Sequence, residues 1–230
     1  MIIPERLLTG VSCSPGNESA EVEMLEIGAD MCDVPTAKDV RALAGDRGIT
    51  LIASPVITHR RTDARYKRMT SPPPEHAAVG HFERSRWTDE AWEETDKLAR
   101  AVDAQAAVLQ TPPSFKPTAD HATRLENFVA HAMRPGLALA WEWAPGSWPL
   151  AKALELCERV GALPVLDPTE HTIPESEFAY VRFRGGKSGR KVLDDDDLKT
   201  AALALRDRPG WAIFSNAKAE QDARRFAEMI

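Results

Sequence analysis

Eight times along a chain of 230 residues, a short apolar run gives way to a stretch with helical periodicity, and no shift in composition marks a linker or second domain. The runs read as strands near Leu7 to Gly10, Val22 to Ile27, Ile49 to Ser54, Ala107 to Gln110, Leu137 to Glu142, Leu163 to Asp167, Ala179 to Arg184 and Trp211 to Asn216. Helices are predicted near Thr36 to Gly45, Trp87 to Ala104, Thr118 to Met133, Trp148 to Val160, Asp195 to Leu205 and Lys218 to Met229, with shorter pieces after the first and sixth strands. Strands alternating with helices build a parallel sheet, and eight such units suffice to close it. The expected fold is α/β, one (β/α)8 TIM-type barrel of eight parallel strands spanning residues 1–230.

Local chemistry supports the division. Ser147 and Asp194 are expected to cap the helices they precede, and Gly161 and Gly210 to sit just past helix ends. The acidic run Asp194 to Asp197 admits metal binding, but acids in a helical first turn are favoured by the macrodipole by about 0.3 to 1 kcal/mol each, so capping is the preferred reading. Ser71 to Arg86, SPPPEHAAVGHFERSR, cannot continue a helix. It makes the loop over 60–86, after the third strand, long for a barrel connection; a lid, an interface loop and plain disorder are the alternatives.

With 43% hydrophobic and 28% charged residues, the composition is that of a globular domain, and no apolar run approaches the roughly 20 residues needed to span a bilayer. No membrane partner is expected. The opening MIIPERLLTG lacks the basic and apolar pattern of a secretion leader, so the expected location is cytoplasmic. Cys13, Cys32 and Cys157 fit neither a disulfide framework nor a zinc motif and read as reduced, mostly interior thiols.

Charge is distributed unevenly. Ten of the 29 Lys and Arg residues, but one of the 35 Asp and Glu, fall in His59 to Arg68 and Arg182 to Lys191. These stretches carry +4 and +5 within a chain of net charge −6, which leaves −15 on the remaining 210 residues. They follow the third and seventh strands, which lie across a barrel from one another. Two positive loops would then flank one mouth and draw in an anionic ligand.

Strand parity sorts the polar residues. In LALAWEW the bulky Leu137, Leu139, Trp141 and Trp143 suit the helix-covered outside, which turns Ala138, Ala140 and Glu142 inward. The same alternation puts Tyr180, Arg182 and Arg184 on the inner face. Gln110, Asp167 and Asn216 each end a predicted strand, and His59 begins the loop after the third. The candidate catalytic residues are therefore His59, Glu142 and Asp167, with Glu26, Arg60, Gln110, Trp148, Arg182, Arg184, Lys187 and Asn216 as substrate-binding candidates. Structural readings stand beside these: Glu142 as an ion-pair partner of Arg182, Asp167 as a turn former before Pro168. GGKSG, Gly185 to Gly189, lacks the GxxxxGK[ST] spacing of a phosphate loop but retains the makings of an anion nest, a flexible connector being the alternative. No metal site is assigned. A divalent ion held by Glu26, His59, Glu142 and Asp167 is chemically feasible, but no close ligand spacing supports it, and the cofactor is left unknown.

Five segments carry a family resemblance: ITH at 57–59, LQTPPSF at 109–115, AWEWAPGSW at 140–148, AYVRFRG at 179–185 and FSN at 214–216. In this order and spacing they resemble the YecE-like family, domain of unknown function 72, over nearly the whole chain. The resemblance implies a (β/α)8 barrel and pocket roles for Glu26, His59, Gln110, Glu142, Ser147, Trp148, Arg182 and Asn216. The chain departs from the family pattern at GVSCSPG near its start, at GADMC after Glu26, at Trp143 and Ala144 where an Arg-His pair is expected, and at Arg184 where a His is expected. It reads as a short, diverged member.

Two functions follow as expectations. The first is an enzyme binding a phosphate-bearing or otherwise anionic substrate at the barrel mouth, a hydrolase or isomerase by fold-level analogy with sugar isomerases and barrel endonucleases. The second is a non-catalytic barrel that grips nucleic-acid phosphates with its two basic loops. Oligomeric state is not legible in the sequence.

Overall fold

The computed structural model describes residues 4–13, 22–28, 34–186 and 192–230. Eight parallel strands close into a barrel in sequence order: β1 (Leu7–Cys13), β2 (Met24–Gly28), β3 (Gly48–Ile52), β4 (Ala106–Thr111), β5 (Ala138–Trp143), β6 (Leu163–Leu166), β7 (Ala179–Phe183) and β8 (Gly210–Phe214). The helices are α1 (Ala37–Ala44), α2 (Pro55–Thr58), α3 (Arg86–Ala101), α4 (Ala119–Ala132), α5 (Leu150–Val160), α6 (Asp195–Leu205) and α7 (Ala219–Ala227). Every predicted strand is present. Among the described residues no helix is long and apolar enough to cross a membrane.

Two apolar layers result from strand parity. Inward-facing Met24, Ile52, Ala106, Val108, Ala138, Ala140, Val165, Tyr180, Trp211 and Ile213 pack together inside the cylinder. Their neighbours Leu139, Trp141, Val181, Phe183 and Phe214 belong to the larger core under the helices. The alternation read from LALAWEW therefore holds. Small alanines on β4 and β5 leave room for the Trp211 indole, whose N–H donates to the Gln105 side-chain oxygen at 2.9 Å. Outside, Phe183 stacks on Phe214 with centroids 4.2 Å apart, and Phe226 of α7 closes over both.

Several local expectations need correction. Ser147 is not a cap: α5 starts after Pro149, and the Ser147 hydroxyl donates to the Ala144 carbonyl at 2.6 Å. Gly210 opens β8 instead of ending a helix; a Cβ there would sit 2.0 Å from the Ala179 carbonyl oxygen, so this close strand approach requires glycine. The β6–β7 connection forms turns and no helix, while the stretch after β1, over 14–21, lies outside the described residues. The unpredicted α2 and a 3-10 turn at Ala64–Arg68 follow β3. Asp194 does cap α6, accepting from Asp197 N–H at 2.8 Å, and Gly161 ends α5 at φ 72°.

Cys157 is buried and Cys13 half-buried, while Cys32 lies outside the described residues. The Pro-rich part of the 60–86 loop is tied down. Gly80, His81 and Phe82 donate backbone N–H bonds to Val56, Thr58 and Ile57 respectively, and Val79 and Phe82 enter the core.

Candidate functional site

Above the apolar interior, the C-terminal strand ends carry a polar layer. Arg182, the fourth residue of β7, is 3% exposed and pairs with two carboxylates: its terminal nitrogens hold Glu26 of β2, and its Nε lies 3.0 Å from Glu142 Oε2 on β5. Glu142 also accepts from Arg184 Nε at 2.8 Å and from the Gln110 amide at 2.7 Å. The register that sets Gln110 beside Glu142 makes this last bond a direct result of the strand pairing. Tyr180, two residues before Arg182 and hence on the same face, donates to Glu26 Oε2 at 2.5 Å and lies 3.1 Å from the Thr50 hydroxyl. Asp167, fully buried, accepts from the backbone N–H of Arg184 at 3.0 Å and from Thr169 N–H and Oγ1, so it fixes where β7 leaves the barrel. Glu170 completes the chain at 3.9 Å from Arg184.

The two carboxyls flanking Arg182 are pushed apart. Burial raises Glu26 above the usual range, outweighing the pull of Arg182 and the Tyr180 hydrogen bond, and Glu142 adds to the rise. Burial would raise Glu142 too, but Arg182, Arg184 and the Gln110 bond more than offset it and hold the carboxyl below its ordinary value. Arg182 stays charged: against its burial, both carboxylates raise it further. Glu142 is thus the fixed anion of the layer, and Glu26 is the first of the pair to take a proton.

A model of the family described as "Protein of unknown function DUF72" matches residues 51–230. The chain belongs to the DUF72 family. A DUF72 protein from Thermotoga maritima aligns with a TM-score of 0.70 at 15% identity, covering 97% of this chain and 98% of its own. One from Enterococcus faecalis gives 0.68 at 13% identity and 97% of each chain. Outside the family, an AP endonuclease, family 2, from Brucella melitensis gives 0.57 at 12% identity over 98% of this chain and 99% of its own. At such identities these similarities establish the fold alone. No curated protein matches the chain.

Within this DUF72 barrel, Glu26, Gln110, Glu142, Arg182 and Arg184 are brought into one connected group, with Asp167 beside it. Arg182 and Arg184 are not open anion clamps, which corrects the sequence expectation: each is held by carboxylates. Asp167 is committed to backbone and Thr169 partners, as its turn-forming reading foresaw. His59 does not join the group. It caps the C-terminal end of α2, 4% exposed, with Nδ1 2.8 Å from the Thr58 hydroxyl. Burial first, then Arg65 and His81 against the opposing pull of Asp63, lowers its pKa to about 4. Trp148 is buried among Phe115 and Trp141 outside the strands, and its indole N–H donates to the Phe115 carbonyl at 2.8 Å, so it supports the loop after β4. Asn216 donates to Asp222 at 2.7 Å at the start of α7. Arg60 is exposed on the loop after β3, and Lys187 lies outside the described residues.

Among the described residues no group of three or more His, Cys, Asp or Glu is arranged to hold a metal ion. Glu26, His59, Glu142 and Asp167 are accordingly not assembled as ligands, and Arg182 occupies the space between the two glutamates. Parity puts Tyr180 on the inner face, but nothing in the sequence announces its bond to Glu26. Glu170, His81 and Ser114 lie in loops, where strand parity gives no signal.

Proposed function

We propose that this DUF72 barrel is an enzyme that binds a small phosphate-bearing molecule at the C-terminal mouth, with Glu142 as the proton acceptor. The observation carrying this reading is the Glu142 carboxyl group, 6% exposed at a strand C-terminus and gripped by Arg182, Arg184 and Gln110. Active sites of this fold sit at that face. A carboxylate fixed by two guanidiniums has one orientation and a settled charge; the same pairing weakens it as a base, so the proton it takes comes from a substrate hydroxyl, carbon acid or water that the neighbouring guanidiniums also acidify.

The charge balance refines the substrate. Around the mouth floor four carboxyl groups, Glu26, Glu142, Asp167 and Glu170, face two guanidiniums. Such a floor suits hydroxyl or carbonyl groups and repels a phosphate, which belongs higher, at the cationic loop after β3. Isomerisation and hydrolysis both fit, by fold-level analogy only.

The test is a panel of phosphorylated and unphosphorylated polyols and keto compounds assayed for turnover, with Glu142→Gln as the paired variant. The reading expects turnover of a phosphorylated compound that Glu142→Gln abolishes while the variant still unfolds in one cooperative transition, its midpoint lowered by the loss of a buried partner of Arg182 and Arg184. Unchanged turnover in the variant removes Glu142 from the chemistry. Binding of an oligonucleotide whose affinity falls steeply with salt, without turnover, favours the non-catalytic nucleic-acid reading instead.

A further inference from the structure

LQTPPSF is the most specific of the family-like segments, yet the floor uses only its Gln110. Its Ser114 lies in the loop after β4, exposed, four residues beyond Gln110. Across from it stands His81 of the loop after β3, with Nε2 2.9 Å from the Ser114 hydroxyl oxygen and Nδ1 accepting from Arg60 Nε at 3.3 Å. The loop is built to hold that imidazole. Gly80, His81 and Phe82 are consecutive residues at φ 77°, 52° and 56°, a left-handed run that side chains other than glycine disfavour. Their three N–H groups are bound to the carbonyls of α2, and a Cβ on Gly80 would lie 2.2 Å from the His59 backbone. Phe82 anchors the far side against Phe115 and Phe128.

We propose that the loops after β3 and β4 form a phosphoryl-binding rim, in which the Arg60 guanidinium and the Ser114 hydroxyl are the donors and His81 is the positioning residue joining them. This rests on the mouth reading above and names the seat of the ligand's anionic group.

Hydrogen-bond polarity carries the argument. A guanidinium only donates, so His81 Nδ1 must be its acceptor. In the neutral ring the proton then sits on Nε2 and donates to Ser114 Oγ. Burial, together with Arg60, His121 and Arg124 and against the pull of Glu83, lowers the His81 pKa to about 4, which keeps the ring neutral near pH 7. Ser114 therefore accepts from the imidazole and directs its own hydroxyl hydrogen outward. By the same logic His81 cannot deprotonate Ser114, so this pair is a donor array and not a nucleophile with its base.

Arg60 differs from Arg182 and Arg184 in having no carboxylate partner among the described residues, and it is exposed. Of the acids around this loop, Glu83 is engaged by Arg124 and Asp63 by Arg65. A fork of guanidinium N–H groups beside a hydroxyl donor matches a tetrahedral oxyanion, and the strand that leads to Ser114 also carries Gln110, the hydrogen-bond partner of Glu142.

The experiment titrates the full chain with inorganic phosphate and with glycerol phosphate, followed by calorimetry and phosphorus NMR line widths. Arg60→Gln and Ser114→Ala, both at exposed positions, are expected to weaken phosphate binding by about tenfold or more, the loss typical of a hydrogen bond to a charged group, with unchanged thermal midpoints. Nitrogen NMR of His81 is expected to show a neutral ring protonated on Nε2. Phosphate binding unaffected by either variant but lost in Arg184→Gln overturns the rim and leaves the mouth reading standing. No phosphate binding by the wild type, or a His81 ring protonated on Nδ1, also overturns the rim. Glycerol phosphate binding more tightly than phosphate, with a dependence on Glu142, supports both. An oligonucleotide that outcompetes both ligands assigns the phosphoryl group to nucleic acid and contradicts the small-ligand rim.

Discussion

Replacing Arg182 by methionine, a side chain of similar length without charge, is the sharpest test of the polar layer. Arg182 is 3% exposed, and its partners Glu26 and Glu142 have side chains 0% and 8% exposed, so the variant leaves two carboxyl groups facing each other out of water. Removing one partner of a buried ion pair costs about 3 to 5 kcal/mol. At roughly 2 to 4 °C per kcal/mol for a domain of this size, the thermal midpoint at pH 7 should fall by about 6 to 20 °C. The sign of the pH dependence is a second, independent readout. In the wild type Glu142 is held below its unfolded value, so its contribution is present above that value and lost as pH falls through the depressed one. Without Arg182 the same carboxyl rises, and its contribution is instead present at low pH and lost as pH increases. The gap between variant and wild type should therefore narrow as pH drops from 7 toward about 4.5, and Glu26→Gln with Glu142→Gln added to the variant should restore most of the loss. Urea unfolding across that pH range measures both effects. A variant within about 1 kcal/mol of wild type at pH 7, or a gap indifferent to pH, refutes the reasoning.

The histidines add to the acid sensitivity of the wild type from elsewhere in the fold. His59 and His81 each titrate near 4 against an ordinary 6.5, so the folded chain should lose stability as pH falls from about 6.5 to 4, by up to about 3 kcal/mol for the deeply buried His59. His59→Gln with His81→Gln should flatten that slope in unfolding titrations. Asp194→Ala removes the α6 cap and should cost about 1 kcal/mol by denaturant midpoint. Gly210→Ala drives a methyl into the Ala179 carbonyl and should abolish the native thermal transition or lower it strongly, whereas Gly45→Ala, whose added methyl meets nothing within 4 Å, should cost only its backbone strain.

The barrel was legible because its signals are local. Each strand is an apolar run of the right length, and period-two alternation in LALAWEW and AYVRFRG decides which face carries Glu142 and Arg182. Parity also put Gln110 and Arg184 near the same level. What alternation cannot convey is partnership. The cationic sequence around Arg182 suggests spare positive charge, yet the carboxylates that consume it come from β2 and β5, 156 and 40 residues away from Arg182. His59 looked free because its sequence neighbours are polar; α2, which no periodicity of four residues can announce, turns it under the loop. Ser147 and Gly210 had the right residue types for caps, but Pro149 and the tight β7–β8 approach decided otherwise. Trp148 was drawn toward the pocket by family likeness, and its indole N–H instead serves the Phe115 carbonyl.

The most direct measurement is a crystal structure of the Glu142→Gln variant soaked with glycerol phosphate. The account predicts the phosphoryl group against Arg60 and Ser114, with the hydroxyl end reaching down to position 142 and Arg184. Density for the ligand at the opposite end of the barrel, or a mouth left empty at saturating ligand while the protein binds it in solution, would contradict it.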